Sequence, residues 1–300
     1  MGLPETERAH PTLEACRGDR YSPGMTEFAH TFLLVFGQLA VGGVIALSVP
    51  GFHEIERGFF KSTACVYLGC GLAMLLGKMY LVFFARPEGL WSLRGTEVAA
   101  WLVFCACCGL YTYTLWGDPF VLRARAYLLT LLSGILALTI SASTYRLTPF
   151  LSLETLLYPL SFLTSALMLG AVATGMSLGH WYLIELGLSL DPFKRVFNFY
   201  AGTLIAHLSV LVIGTGLLVI AGREETVAGL SSLWSNHQAL LWLRLGLGPL
   251  ASLPLAYMIW RTLQIPQTMA ATGLFYIAIL AAVVGEFLGR FILFRTALPL

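Results

Sequence analysis

Six side chains that carry or bind protons stand inside, or at the edge of, long apolar stretches: His30, Lys78, Glu97, Arg244, Glu286 and Arg290. An ionisable group at membrane depth is costly, so such groups mark ion or proton paths, ligand contacts or buried pairs. Glu286 and Arg290 are four residues apart, which puts them on one face of a helix. They read either as a structural ion pair that orients the helix or as part of a proton-handling, ligand-binding cluster. Each of the others also has a simpler reading. Lys78 can extend its stem and snorkel to the membrane surface. Glu97 can be a first-turn acid favoured by the helix dipole. His30, by itself, reads as an interfacial residue.

A second polar set consists of His180, Trp181, Tyr182 and Glu185, with His207 further along. Two histidines on adjacent helices raise the question of a b-type haem. Their depths differ by about 7–9 Å at 1.5 Å per residue, which argues against a shared haem. Trp181 and Tyr182 fit an aromatic interface belt. The six cysteines (Cys16, Cys65, Cys70, Cys105, Cys107 and Cys108) form no CxxC pair, no haem-attachment site and no ferredoxin-like run. Cys105, Cys107 and Cys108 lie in an apolar stretch and read as small packing residues. The expectation is therefore no haem and no iron–sulfur cluster on this chain; any cluster in the system sits on another polypeptide.

The elements that must position these groups follow from composition. Of 300 residues, 57% are hydrophobic and 11% charged, against about 25% charged in a soluble domain. Eight apolar stretches are long enough to span a bilayer core: roughly 28–49, 62–84, 97–116, 126–143, 156–184, 198–221, 238–260 and 267–294. Loop signals separate them, such as Pro50-Gly51, Arg86-Pro87-Glu88-Gly89, Gly117-Asp118-Pro119 and Gly222-Arg223-Glu224-Glu225. A membrane barrel would show short alternating strands instead. The fold class expected is an all-α integral membrane protein, about eight transmembrane helices in one bundle over residues 25–300. A polar tail, residues 1–24, precedes it and carries no signal-peptide core. Its Met1-Gly2 with Thr6 matches a short myristoylation pattern.

The net charge of +2, with no basic tract, gives no footprint for nucleic acid. An even helix count puts both termini on one side. Loops on that side carry Arg86, Arg94, Arg146, Arg223 and Arg295. The opposite loops carry Arg57, Lys61, Arg123, Arg125, Lys194, Arg195 and Arg261. The more basic side faces the cytoplasm, so both termini are expected outside, although Arg8, Arg17 and Arg20 of the tail offset the bias.

Four ordered patches carry a family resemblance. TFLLVFGQLAVGG (Thr31–Gly43) resembles the first helix of the membrane-anchor subunit of dimethyl sulfoxide reductase, whose wider family includes the polysulfide reductase anchor. ARPEGLWSLRGTEVAAW (Ala85–Trp101) is similar to the stretch between its second and third helices. Tyr145, Thr155 and PLSFLTSALMLG (Pro159–Gly170) resemble the entry to its fifth. GEFLGRFILF (Gly285–Phe294) resembles the Gly-Glu-x-x-Gly-Arg close of its last helix. The chain departs from the pattern in two places. Phe83-Phe84-Ala85 stands where a His precedes Gly-Arg-Pro, and Gly175–Leu188 has no counterpart.

The resemblance implies a quinol-site subunit of a bacterial or archaeal cytoplasmic membrane. It would bind an exchangeable menaquinol near the outer face and carry no cofactor of its own. Electrons would pass to a docked iron–sulfur subunit and then to a molybdopterin catalytic subunit. Quinol oxidation needs a proton acceptor within hydrogen-bond reach of the hydroxyl. Glu97 matches the family's acidic third-helix position and is the candidate acceptor. His30, Lys78, Glu286 and Tyr145 are supporting candidates, and Arg290 would hold Glu286 oriented. Three other classes compete: a b-type cytochrome, a secondary transporter and a structural scaffold. Gly246-Leu247-Gly248-Pro249 and Pro254 interrupt the seventh stretch as in transporters, but no internal repeat accompanies them.

Overall fold

In lipid every backbone N–H and C=O must be paired within the chain, and a helix does this locally. The computed structural model is helical throughout and describes residues 23–85, 93–145, 152–185, 187–265, 267–296 and 298. The tail with its myristoylation pattern, Cys16, the Arg86-Pro87-Glu88-Gly89 loop and Arg146 lie outside the described residues. Ten α-helices follow in order: α1 (Pro23–Ala46), α2 (Arg57–Met79), α3 (Leu93–Thr114), α4 (Phe120–Thr144), α5 (Glu154–Ile184), α6 (Asp191–Ala221), α7 (Glu224–Asn236), α8 (Gln238–Leu245), α9 (Ala251–Gln264) and α10 (Thr268–Thr296). A π-helical segment, Tyr80–Ala85, extends α2, and another, Gly246–Leu250, joins α8 to α9. Eight of the resulting helices are long and apolar enough to cross a membrane, with α8 to α9 counting as one span. The chain is a multi-pass, all-α membrane protein.

The packing forms two groups of four spans. In the first, α1 packs on α2, α2 on α3, α3 on α4, and α4 returns to α1. In the second, α5 packs on α6 and α10, α9 packs on α10, and α6 touches α9. α1 joins the groups by packing against α5 and α10. The α1–α5 crossing is backbone on backbone. A Cβ at Gly42 would fall 1.6 Å from the Ala166 carbonyl oxygen, and one at Gly170 would fall 1.9 Å from the Gly42 carbonyl carbon. Small residues permit this approach where lipid supplies no hydrophobic drive between helices. The core between the groups is apolar and aromatic, with Trp101, Tyr67, Phe104, Phe162 and Phe275 fully enclosed. The outward faces present Leu76, Leu102, Leu128, Ile205 and Val212, an exposure suited to lipid rather than water.

Two boundaries differ from the sequence expectation. Residues 222–237 were expected to be a loop, yet α7 fills Glu224–Asn236. Val227, Leu230, Leu233 and Trp234 recur at helical spacing, too short a run to read as a span. Leu233 is buried against Ile292 and Leu298, so this helix caps the second group at the end where α10 finishes. α6 begins at Asp191 rather than near 198, with Pro192 in its first turn. Proline suits that position because its missing N–H would be unpaired there anyway.

Candidate functional site

Two buried polar clusters lie toward the end of the bundle where α1 begins and α10 finishes, one in each group of helices. The first is built by α2, α3 and α4. Lys78 is in the last turn of α2, two residues before the π-helical segment. A cation there faces the negative end of the helix dipole. Its Nζ donates to Glu97 Oε2 at 3.0 Å and to Tyr145 Oη at 2.7 Å, and forms an ion pair with Glu97 Oε1 at 2.9 Å. Ser141 Oγ donates to Glu97 Oε1 at 2.7 Å, and Trp101 Nε1 donates to Ser141 Oγ at 2.9 Å. Lys78 is 2% exposed and Glu97 1%. Lys78 therefore does not snorkel, because a carboxylate and a phenol are nearer than water. Glu97 is more than a first-turn acid, since its partner is a side chain on the neighbouring helix.

The second cluster centres on Glu286 of α10. Its Oε1 accepts from His207 Nε2 of α6 at 2.9 Å and from Arg244 Nη2 of α8 at 2.8 Å. Its Oε2 accepts from Arg290 Nη2 at 3.2 Å and from Ser165 Oγ of α5. The pairing of Glu286 with Arg290 is as their spacing implies. All of these side chains are at most 4% exposed, so their charges face protein groups rather than bulk water. His207 Nδ1 lies 3.2 Å from Thr164 Oγ1, so both ring nitrogens face protein partners. The sequence reading grouped His207 with His180, and the structure separates them. His207 is about 24 Å along α6 from its first residue, at 1.5 Å per residue, because that helix starts early. His180 Nδ1 instead lies 3.3 Å from Tyr276 Oη, near the opposite end.

The clusters meet through α1 and a row of rings. Arg290 Nε donates to Gln38 Oε1 at 3.3 Å, and Gln38 Nε2 donates to the Phe162 carbonyl at 3.3 Å. The Arg290 guanidinium sits 4.2 Å from the Phe162 ring centroid, within cation–π range. Phe162 stacks on Tyr145 at 6.5 Å, and Tyr145 meets Phe294 edge-on at 5.0 Å. His30 lies 5.6 Å from Phe294. The six side chains singled out for the site thus occupy one end of the bundle, divided between two networks with an aromatic seam between them.

Ser141, Trp101, Gln38, Ser165 and Thr164 were not anticipated. Gln38 carried a signal, as an amide inside TFLLVFGQLAVGG. Hydroxyls carried none, since Ser and Thr in apolar helices often bond their own backbone. Among the described residues, no group of three or more His, Cys, Asp or Glu could hold a metal ion. A cavity of about 470 Å³ lies between α6, α7 and α8, lined by Thr215, Val227, Leu230, Leu233, Trp234 and Leu241. It touches neither cluster. Comparison with protein-family models, with curated proteins and with solved structures returned no match.

Proposed function

We propose that this chain is the quinol-site membrane subunit of a respiratory oxidoreductase. In this reading it exchanges electrons between a membrane quinol, menaquinol in type, and an iron–sulfur partner subunit docked at the outer face, which in turn serves a molybdopterin catalytic subunit. The observation that carries the reading is the buried Lys78–Glu97–Tyr145 triad at one end of the eight-span bundle. Its residues stand in or beside the segments that resemble the dimethyl sulfoxide reductase anchor.

Oxidising a quinol to a quinone releases two protons and two electrons. The electrons leave to the partner's cluster, and the protons must leave through side chains of this chain. Among the described residues, Glu97 Oε1 accepts from Ser141 and faces the Lys78 ammonium, and Oε2 accepts from Lys78 alone. A carboxylate oxygen has two lone pairs, so Oε2 can accept a quinol hydroxyl. Lys78 pairs with the Glu97 carboxylate, and Tyr145 places a hydroxyl next to the same ammonium. Phe162 and Phe294 supply apolar walls beside the triad for a ring. Trp101 and Ser141 fix the carboxylate's orientation.

Glu97→Gln tests this. The amide keeps the shape and loses the proton acceptor, so quinol oxidation by the complex purified with its partner subunits should fall by roughly 10²–10⁴, with unchanged subunit stoichiometry. Wild-type turnover in a correctly assembled variant would remove Glu97 from the chemistry.

A further inference from the structure

The second cluster is out of charge balance. Arg244 and Arg290 carry two positive charges, since guanidinium stays protonated in proteins. Glu286 returns one negative charge; all of its described contacts are with donors, so it sits as an acceptor-only carboxylate. A net positive charge remains, whether or not His207 is protonated. Among the described residues, the nearby ionisable groups do not offset it. Lys78 and Glu97 balance each other, and Glu154 is bonded to Thr226 Oγ1 and the Arg223 backbone N–H at the head of α5. An uncompensated charge in this interior is strongly unfavourable.

Three further observations locate what compensates it. Arg244 Nε and Arg290 Nη1 are buried N–H groups with no hydrogen-bond partner among the described residues. Beside Arg244 is a cavity with room for about one water-sized particle, about 10 Å³, and its polar lining is His207, Arg244 and Ser252. The backbone around Arg244 is also cleared of side chains. A Cβ at Gly248 would fall 2.7 Å from Arg244 Nη1, and one at Gly285 would fall 2.7 Å from Gly248 Cα. Gly248 lies in the π-helical segment that interrupts the seventh span, and such segments recur at functional sites.

We propose that the chain binds one small monovalent anion of the halide class, chloride foremost, between Arg244, His207 and Ser252. This proposal is independent of the quinol reading. The size of the cavity rules out a phosphate, a lipid headgroup or a carboxylate ligand, which leaves a single-atom anion. Arg244 supplies the charge and an unused N–H, and Ser252 supplies a hydroxyl donor. The bound ion brings the cluster to neutrality and so stabilises the folded bundle, because a ligand that binds only the folded state adds stability as its concentration rises.

The test is thermal unfolding of the detergent-purified full chain, followed by tryptophan fluorescence. Samples start in gluconate, and halides are titrated at constant ionic strength. The expected result is a saturable rise in Tm with chloride and bromide, a weaker response to iodide because the cavity is small, and none with sulfate. Ser252→Ala leaves every charge in place and should raise the half-saturating chloride concentration by roughly tenfold, the order expected when one hydrogen bond to an ion is lost. Arg244→Gln removes the excess charge and should abolish the response; if it does not fold, Ser252→Ala decides alone. A Tm that ignores chloride, an equal response to sulfate, or an unchanged half-saturation in Ser252→Ala would each overturn the proposal.

Discussion

Glu286 is the acceptor on which four helices converge, and Glu286→Gln is the sharpest perturbation of the bundle. The substitution raises the described charge of the cluster from one positive to two. It also replaces one of two acceptor oxygens by an amide NH₂ donor in a site surrounded by donors: His207, Arg244, Arg290 and Ser165. Breaking a buried ion pair on one side costs about 3–5 kcal/mol. With total stabilities of about 5–15 kcal/mol, the loss is roughly a fifth or more of what holds the fold. At about 1.4 kcal/mol per factor of ten, it shifts the folded-to-unfolded ratio by roughly two to four decades.

The double variant Glu286→Gln with Arg244→Gln returns the described charge to a single positive. It should therefore recover part of the loss, with a coupling of about 0.5–3 kcal/mol for residues in contact. Unfolding midpoints and the yield of monodisperse protein for the two single variants and the double form a closed cycle. A Glu286→Gln protein as stable as wild type, or a double variant whose loss equals the sum of the singles, would show that charge balance does not govern this cluster.

The other predictions concern packing and orientation. Gly42→Leu should prevent accumulation of folded protein, because its side chain would enter the Ala166 carbonyl on α5, whereas the same change at Gly69, which has open space around its Cα, should be tolerated; membrane yields of the two variants compare them. A reporter fused after residue 300 should read as periplasmic if the loop charge bias sets orientation, and a clean cytoplasmic signal would invert the map.

The number and type of spans were readable because lipid demands long apolar helices and the chain marks their ends with Pro, Gly and charge. The position of each polar group along its helix was readable too, wherever the helix start was right. His207 shows the failure. Starting α6 at 198 grouped it with the His180 set, whereas α6 starts at Asp191, with Pro192 in its first turn, and His207 lies beside Glu286. Partnership across helices was not legible, because a residue's angular position means nothing until its neighbours are chosen. Thus Lys78 and Glu97 were readable as site candidates, with a snorkelling cation and a first-turn acid as their simpler readings, while their pairing depends on how α2 and α3 turn toward each other. α7 was missed for a different reason. Its apolar stripe is narrow and short, so it resembles a loop until Ile292 and Leu298 are there to cover Leu233.

The division of polar groups between the two halves of the bundle bears on their roles. Glu286 receives all its described donors from α5, α6, α8 and α10, with Arg290 tied through Gln38 to α1. A proton delivered there would have to displace an arginine from a site already crowded with donors. Glu97 has one ammonium ion shared with a phenol, and an oxygen with a single described donor. Protonating Glu97 would weaken one ion pair and leave Lys78 bonded to Tyr145. A change at Glu97 therefore disturbs fewer described contacts than one at Glu286. The Phe162 seam lets Arg290 hold the wall of the first cluster in place without joining its hydrogen bonds. On this reasoning, variants of Glu286 act on the amount of folded protein, variants of Glu97 act on turnover, and a Glu97 variant that lost assembly instead would place both clusters in the frame of the bundle.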